Sequence, residues 1–410
     1  MVDGGGCSGR ESEVTDTSPE APAGNEPFHW MVGEESSDPV VAFQGRRVRV
    51  DQMKTTGHLR HVEQDLRDIR TVGARFVRYG VNWRRVQPDG PGDFHWGFWD
   101  RAFDACDRAG LEMVVDLLHF GAPDWLGGVT DPALPEAFLR YTEGFLRRYP
   151  GATWFTPVNE PYITAHFSTR LGIWNEAIRD EGTFVRTLAQ LCLADLSASA
   201  AIRADRRATF VHSEALGFDL PTDDTDEARL GADRANAFRL LTFDLRYGQE
   251  PDGCIQGALG KVEDRLWSQL ADLAFRDGVI AGHDYYPVSV PADGRSYGSL
   301  AQQFYERYRV PFMVAETSNL GLDPSEGPAW LEGIYAEGQA LRREGLPFVG
   351  ICWYSRGDQH DWHTTLTRPV GHVTPVGLFD IDRRPRPAAA TFRRLAASTP
   401  VQEGRGRVGR

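Results

Sequence analysis

The chain has 410 residues, 41% of them hydrophobic and 25% charged, which is enough length for a large core and an ordinary globular composition rather than that of a small stapled module. Its 45 basic residues stand against 58 acidic ones for a net charge of −13, which repels phosphate backbones and anionic lipids, so neither nucleic acid nor a membrane surface is an expected partner and a neutral or cationic small molecule fits better. No run of 18 or more apolar residues is present to span a bilayer, and the five cysteines (Cys7, Cys106, Cys192, Cys254 and Cys352) are odd in number, scattered and never in a C-x-x-C pair; they read as reduced packing residues of a cytoplasmic protein, not as a disulfide framework or a zinc knuckle.

In chain order, residues 1–25 are rich in Gly, Ser, Pro, Glu and Thr without an apolar stretch, which predicts a disordered tail and no secretory signal. From 26 to 397, short apolar runs at 28–32, 75–79, 113–119, 153–158, 209–215, 279–286, 312–317 and 348–354 alternate with segments of helical spacing. Leu59, Val62, Leu66, Ile69 and Val72 mark one helix, ended by Gly73; Leu134, Phe138, Tyr141, Phe145 and Tyr149 mark another, ended by Pro150. Eight strand-then-helix units without a Gly-rich phosphate loop after the first strand predict a single-domain (β/α)8 TIM barrel, not a doubly wound sheet. The stretch 219–277 is too long for one crossover and predicts a helical insertion between strands 5 and 6, with the acidic run 223–227 as a solvated helix start. Trp96, Phe98 and Trp99 are expected to precede a helix and pack on the barrel wall. Residues 398–410 are expected to be a polar C-terminal tail.

In such a barrel the site lies at the C-terminal ends of the strands. The fourth run, Trp154-Phe155-Thr156-Pro157-Val158-Asn159-Glu160-Pro161, passes from apolar to a glutamate and a proline, and the seventh, Phe312-Met313-Val314-Ala315-Glu316-Thr317, also carries a glutamate near its end. Two glutamates at the mouths of strands on facing sides of one barrel suit glycoside hydrolysis, in which one carboxyl protonates the leaving oxygen and the other meets the oxocarbenium-like carbon. Glu214 and His212 on the fifth strand project to the same face and are further candidates for touching substrate.

The segment 154–161 resembles the acid/base motif of glycoside hydrolase family 1 and of the wider clan A of retaining barrel β-glycosidases, and Glu316 falls where that clan keeps its nucleophile. Further pieces agree in order: Val77-Arg78-Tyr79 followed by Trp83-Arg84-Arg85-Val86-Gln87-Pro88, then His119 in Leu117-Leu118-His119-Phe120, then Gly282-His283-Asp284-Tyr285-Tyr286 against Gly-x-Asn-Tyr-Tyr, and Trp353. The resemblance runs from about residue 28 to 382. It implies a retaining β-glycoside hydrolase working by double displacement without metal or cofactor on a small-molecule or oligosaccharide glycoside. Glu316 is then the ionised nucleophile, with Arg78 and the Tyr286 hydroxyl beside it, and Glu160 the protonated acid/base about 5 to 5.5 Å away. Asn159 is expected to hold the sugar 2-hydroxyl, His119 another ring hydroxyl, and Trp353 to offer a flat face to the sugar.

Two positions depart from the pattern of glucose-binding members. Where these carry a glutamine after the first strand, this chain has Gly33-Glu34-Glu35-Ser36-Ser37; where they carry a glutamate before a tryptophan after the eighth, it has Asp361-Trp362. Glu34 and Glu35 read as loop charges, while Asp361 and Asp284 are candidate substrate contacts. A transglycosidase would use the same residues on an acceptor other than water. A non-catalytic sugar-binding barrel would be expected to have lost a carboxylate. A metal-dependent barrel hydrolase would want His-x-His after the first strand, and Phe28-His29-Trp30 lacks the second histidine. Oligomeric state is not legible.

Overall fold

The computed structural model describes residues 26–399. Eight parallel strands form a closed barrel: β1 (His29–Glu34), β2 (Phe76–Gly80), β3 (Glu112–Asp116), β4 (Trp154–Thr156), β5 (Thr209–Ala215), β6 (Val279–Asp284), β7 (Phe312–Thr317) and β8 (Phe348–Tyr354). They follow one another around the ring, and β1 closes it by pairing with both β2 and β8. This is the expected (β/α)8 TIM barrel. Both faces of each strand are covered, by helices outside and by side chains inside, so the strands read as unbroken apolar runs rather than as an alternation. On β1, Trp30 and Val32 join the layer under the helices while Met31 points into the barrel with Val114, Val211, Met313 and Cys352.

The observed strands are shorter at their C-terminal ends than the apolar runs at 113–119, 153–158 and 279–286. The chain turns out of the sheet at Asp116, Thr156 and Asp284, so His119, Asn159, Glu160 and Tyr286 all sit in the loops above the barrel mouth.

The outer ring contains α1 (His58–Thr71), α2 (Gly97–Ala109), α3 (Leu134–Arg148), α4 (Glu181–Asp205), α5 (Asp226–Tyr247), α6 (Asp264–Leu273), α7 (Tyr297–Tyr308), α8 (Gly327–Arg343) and α9 (Pro387–Ser398). Gly73 follows α1 at φ +89°, a conformation open to glycine. Trp96 caps α2, so Phe98 and Trp99 lie in its first turn instead of before it. By length and composition α4 could cross a bilayer, but 72% of its most apolar window is buried in the protein, where it packs on α3 and the inserted helices. The insertion between β5 and β6 holds α5, the short helix Gln256–Leu259 and α6, and Thr225 caps the acidic start of α5 by accepting from the Ala228 N–H at 3.2 Å. At the far end Ser398 still belongs to α9, and the Trp30 indole donates to Thr399 Oγ1 at 3.1 Å. The expected C-terminal tail therefore starts no earlier than residue 400. The remainder of that tail and the tail expected over 1–25 lie outside the described residues.

The insertion reaches into the mouth. Arg246 of α5 and Asp195 of α4, both fully buried, pair at 2.9 Å. Arg246 Nη2 donates to the Val158 carbonyl at 3.0 Å while Asp195 Oδ1 accepts from the Val158 N–H at 3.0 Å. The backbone two residues before Glu160 is thus gripped on both its polar groups. Arg246→Met should leave Asp195 as a buried anion without its partner and lower the unfolding free energy by about 3 to 5 kcal/mol, read as a fall in the urea midpoint; a loss below about 1 kcal/mol, the scale of an exposed pair, would show the clamp to be dispensable.

Candidate active site

Glu160 sits four residues beyond the end of β4 with φ at 39°, in the left-handed region that a non-glycine residue keeps only when its neighbours hold it there. The Val158 clamp holds it from one side. From the other, Pro161 opens the short helix Pro161–Ala165, and the Glu214 carboxylate accepts from the Tyr162 N–H at 2.8 Å and from its own neighbour Ala215 at 3.0 Å. Glu214 is therefore committed to backbone donors and does not line the cavity, which corrects its reading as a substrate contact. Burial pushes its pKa up to about 7. His212 is likewise set in the wall, stacked against Tyr247 and Phe275.

Glu316 lies within β7. Its Oε1 pairs with Arg78 Nη1, and its Oε2 accepts from the Tyr286 hydroxyl at 2.7 Å. Arg78, fully buried on β2, also donates to Asn159 Oδ1, to Asp116 Oδ2 at 3.1 Å and to Thr156 Oγ1 at 3.3 Å. Burial works against its charge, and the carboxylates of Glu316, Asp116 and Asp284 more than offset that, so it stays a cation. The Asn159 Nδ2 is buried with no partner among the described residues. Burial, and then the Glu316 charge, keep the Tyr286 hydroxyl protonated and therefore a donor.

Carboxylate oxygens of Glu160, Asp284 and Glu316 lie within 4.8 Å of one another. The pKa of Glu160 is pushed well above the ordinary carboxyl range by burial, then by Asp284, then by Glu316. Asp284 is raised as well, by burial and then Glu316, although Ser213 Oγ donates to its two oxygens at 2.8 and 2.6 Å. His119 Nδ1 meets Asp116 Oδ2 at 2.8 Å; burial alone would make the imidazole less basic, but Asp116, Glu316 and Glu35 outweigh it and raise its pKa.

These groups open on a cavity of about 700 Å³. Its buried floor carries Glu35, His119, Glu160, Asp284, Glu316 and Tyr354, and the rest of its lining includes the apolar Phe167, Phe218, Leu220, Val288, Val290 and Leu320 together with the polar His166, Asp219, Arg239 and Ser289. Val288 and Val290 are 65% and 42% exposed, which puts them at the rim.

Two further expectations are corrected here. Trp353 does not face the cavity: its ring is fully buried in the layer between barrel and helices, and its indole donates to the Val376 carbonyl at 3.0 Å. The next residue, Tyr354, takes the inward position, parallel to the His119 ring at 5.8 Å with its hydroxyl 3.3 Å from Nε2. Gly33 makes room for it, since a Cβ there would lie 2.0 Å from the Tyr354 ring. Asp361 is also withdrawn, because its two oxygens accept from the N–H groups of Gly371 and His372 at 3.0 and 2.9 Å and tie the loop after β8 to itself; the neighbouring Gln359 and Trp362 line the cavity instead. Of the pair read as loop charges, Glu35 is at the cavity floor, whereas Glu34 is bound to Arg356 at 2.6 Å beside His58 and Asp65. That second cluster has the spacing of a cation site, but Arg356 and Arg383 already bring positive charge to it. His29 sits at the opposite, N-terminal end of β1, edge-on to Phe76 and Trp154.

Asp116 and Tyr354 were not singled out from the sequence, and Glu35 was read as a loop charge. The Asp116-Leu117-Leu118-His119 spacing is the one signal that could have found the first.

The comparisons with known proteins agree with this architecture. The model of glycosyl hydrolase family 1 matches residues 43–243. A beta-glucosidase of Agrobacterium sp. is 28% identical over 379 residues, covering 79% of this chain and 80% of that protein. The cytosolic beta-glucosidases of Cavia porcellus and Homo sapiens are each 28% identical over 130 residues, 30% of this chain, so the chain spans only 28% of the length of either. Among solved structures, the family 1 b-glucosidase from Thermotoga maritima superposes with a TM-score of 0.77 over 93% of this chain and all of its own, at 15% identity, a likeness of fold. With the matched segment and the relative that covers most of the chain, the protein is glycosyl hydrolase family 1-like.

Proposed function

We propose that the protein is a retaining β-glycoside hydrolase acting by double displacement on a small-molecule glycoside with an apolar aglycone. The observation that carries this reading is the approach of the Glu160 and Glu316 carboxylate oxygens to within 4.8 Å. Oxygens this close suit a retaining pair, whose carboxyls stand about 5 to 5.5 Å apart, better than an inverting pair at about 6.5 to 9.5 Å. The unequal surroundings assign the roles. Glu316 carries the Arg78 and Tyr286 donors and is the anion that attacks the anomeric carbon. Glu160, raised by burial and its anionic neighbours, gives its proton to the departing glycosidic oxygen as that bond breaks. In the second step Glu160 takes a proton from water, whose oxygen displaces Glu316 from the sugar. The Asn159 Nδ2 and the His119 imidazole are donors and acceptors for ring hydroxyls, and Tyr354 takes the place first assigned to Trp353.

The apolar rim supports the aglycone assignment, because exposed valines at a cavity mouth gain by covering a nonpolar group and offer nothing to sugar hydroxyls. A transglycosidase would use the same chemistry with an acceptor other than water. A non-catalytic sugar-binding barrel has no use for the Arg78 and Tyr286 donors trained on Glu316. A cytosolic setting belongs to this proposal too: Cys106, Cys192, Cys254 and Cys352 are free thiols, three of them buried.

The proposal is tested by stereochemistry. Glu316→Gly should abolish turnover of a nitrophenyl β-glycoside, and added azide should restore it through one displacement, giving the α-glycosyl azide. Glu160→Gly keeps the nucleophile, so azide should yield the β-glycosyl azide by two displacements. The anomeric coupling in proton NMR distinguishes them, and the same anomer from both variants, or the reverse assignment, refutes the roles. The raised Glu160 pKa further implies that kcat/KM falls at alkaline pH as this acid is lost, and that Glu160→Gln removes this limb for substrates with good leaving groups; an unchanged limb takes Glu160 out of the acid role. For the rim, Val288→Asp should raise KM for an aryl or alkyl β-glycoside by about tenfold, the worth of one buried apolar side chain, with little change for a disaccharide; an equal effect on both would separate the rim from aglycone recognition.

A further inference from the structure

We propose that Asp284 is a positioning residue that acts through Glu160, holding the acid proton there both in the free protein and after Glu316 has been consumed as a glycosyl ester. The proposal rests on the assignment of Glu160 and Glu316 above.

A double displacement needs two carboxyls, and this site contains three. Strand register puts Asp284 of β6 directly beside Glu316 of β7, after an irregularity in the pairing that follows His283. Like charges side by side on neighbouring strands are destabilising. The oxygens of both also come within 4.8 Å of the Glu160 carboxyl.

The groups around Asp284 decide where protons remain. Glu316 faces it from β7, Glu214 and Ser213 from β5, Arg78 from β2, Tyr286 from the turn beyond its own strand, and Glu160 from the loop after β4. Tyr286 donates to Glu316, and the Arg78 donors go to Glu316, Asp116, Asn159 and Thr156. Asp284 has the Ser213 hydroxyl. Among the described residues none donates a hydrogen bond to the Glu160 carboxyl. Donors favour the ionised form of the carboxyl they serve, so between these two the Ser213 hydroxyl places the charge on Asp284 and leaves the proton on Glu160.

The consequence falls on the second step. When Glu316 becomes an ester its charge disappears, and with a two-carboxyl site that removes the anion that had held the proton on Glu160. Here the Asp284 anion remains, so Glu160 releases its proton, and becomes the base for water, only at higher pH.

The test needs no substrate. The full-length protein is labelled with ¹³C at the Glu and Asp side-chain carboxyls, the Glu160 resonance is assigned by its loss in Glu160→Gln, and its midpoint is followed against pH. In Asp284→Asn, which keeps the shape and can still accept from Ser213, the Glu160 midpoint should fall by about 1 pH unit or more, the effect of removing one like charge at this range. Ser213→Ala, which removes the donor that favours the Asp284 anion, should move it the same way by less, and it gives the answer alone if Asp284→Asn fails to fold. An unmoved or higher Glu160 midpoint overturns the proposal, since it would mean that Asp284 stays neutral or only fills space. Because the reading is a titration, a protein that hydrolyses no glycoside would refute the proposed function and leave this result standing on its own.

Discussion

The buried guanidinium of Arg78 is what allows this barrel to have an acidic mouth. Asp116, Glu160, Asp284 and Glu316 converge at the mouth with each side chain almost wholly buried, and burying an unpaired carboxylate is among the most costly events in folding. One arginine answers several of them at once: it pairs Glu316 and Asp116 and fixes the Asn159 amide. Its planar fork of donors suits that task, whereas the single ammonium of lysine could not serve three partners in fixed directions. The difference in surroundings between Glu316 and Glu160 also begins here, since Glu316 receives the Arg78 cation and the Tyr286 hydroxyl, while burial and the neighbouring carboxyls push the Glu160 pKa up.

The other constraint is mechanical. Glu160 stands on a strand of only three residues and adopts a left-handed backbone, so its position cannot come from the sheet alone. It comes from Arg246 and Asp195, which belong to the outer helices, and from Glu214, which caps the following turn. The long insertion after β5 therefore supplies part of the support for Glu160, the proposed acid/base, which is a reason for its fully buried ion pair to persist in spite of the cost of desolvation.

The barrel itself was legible because strands covered on both faces must be continuous apolar runs, and the helices between them must show a 3.6-residue spacing. Glu160 and Glu316 could be picked out because polar residues at the ends of such runs point to the mouth, while Arg78, Asn159, His119, Asp284 and Tyr286 were picked out by the ordered motifs that resemble glycoside hydrolase family 1. What was not legible depended on direction and on partners. Trp353 and Tyr354 are adjacent, and side chains on a strand alternate faces, so an error of one residue exchanges the barrel interior for its outer layer. Asp361 and Glu214 were chosen as carboxylates near the mouth, and the structure shows both given over to backbone N–H groups, which a sequence does not display. Glu35 was set aside as a loop charge because nothing in the run Glu34-Glu35 says which of the two meets Arg356 and which meets the cavity.

The central claim is that Glu316 forms a covalent bond to the sugar, and trapping that bond tests it most directly. A 2-deoxy-2-fluoro β-glycoside with a dinitrophenolate leaving group slows both steps by withdrawing charge from the oxocarbenium-like carbon, while the good leaving group still allows the first to proceed. After incubation and proteolysis, mass spectrometry should find one equivalent of the fluorosugar on the peptide that contains Glu316, with none on Glu160 or Asp284. A label on either of those two carboxyls would contradict the account, as would stoichiometric release of dinitrophenol with no sugar attached to the protein.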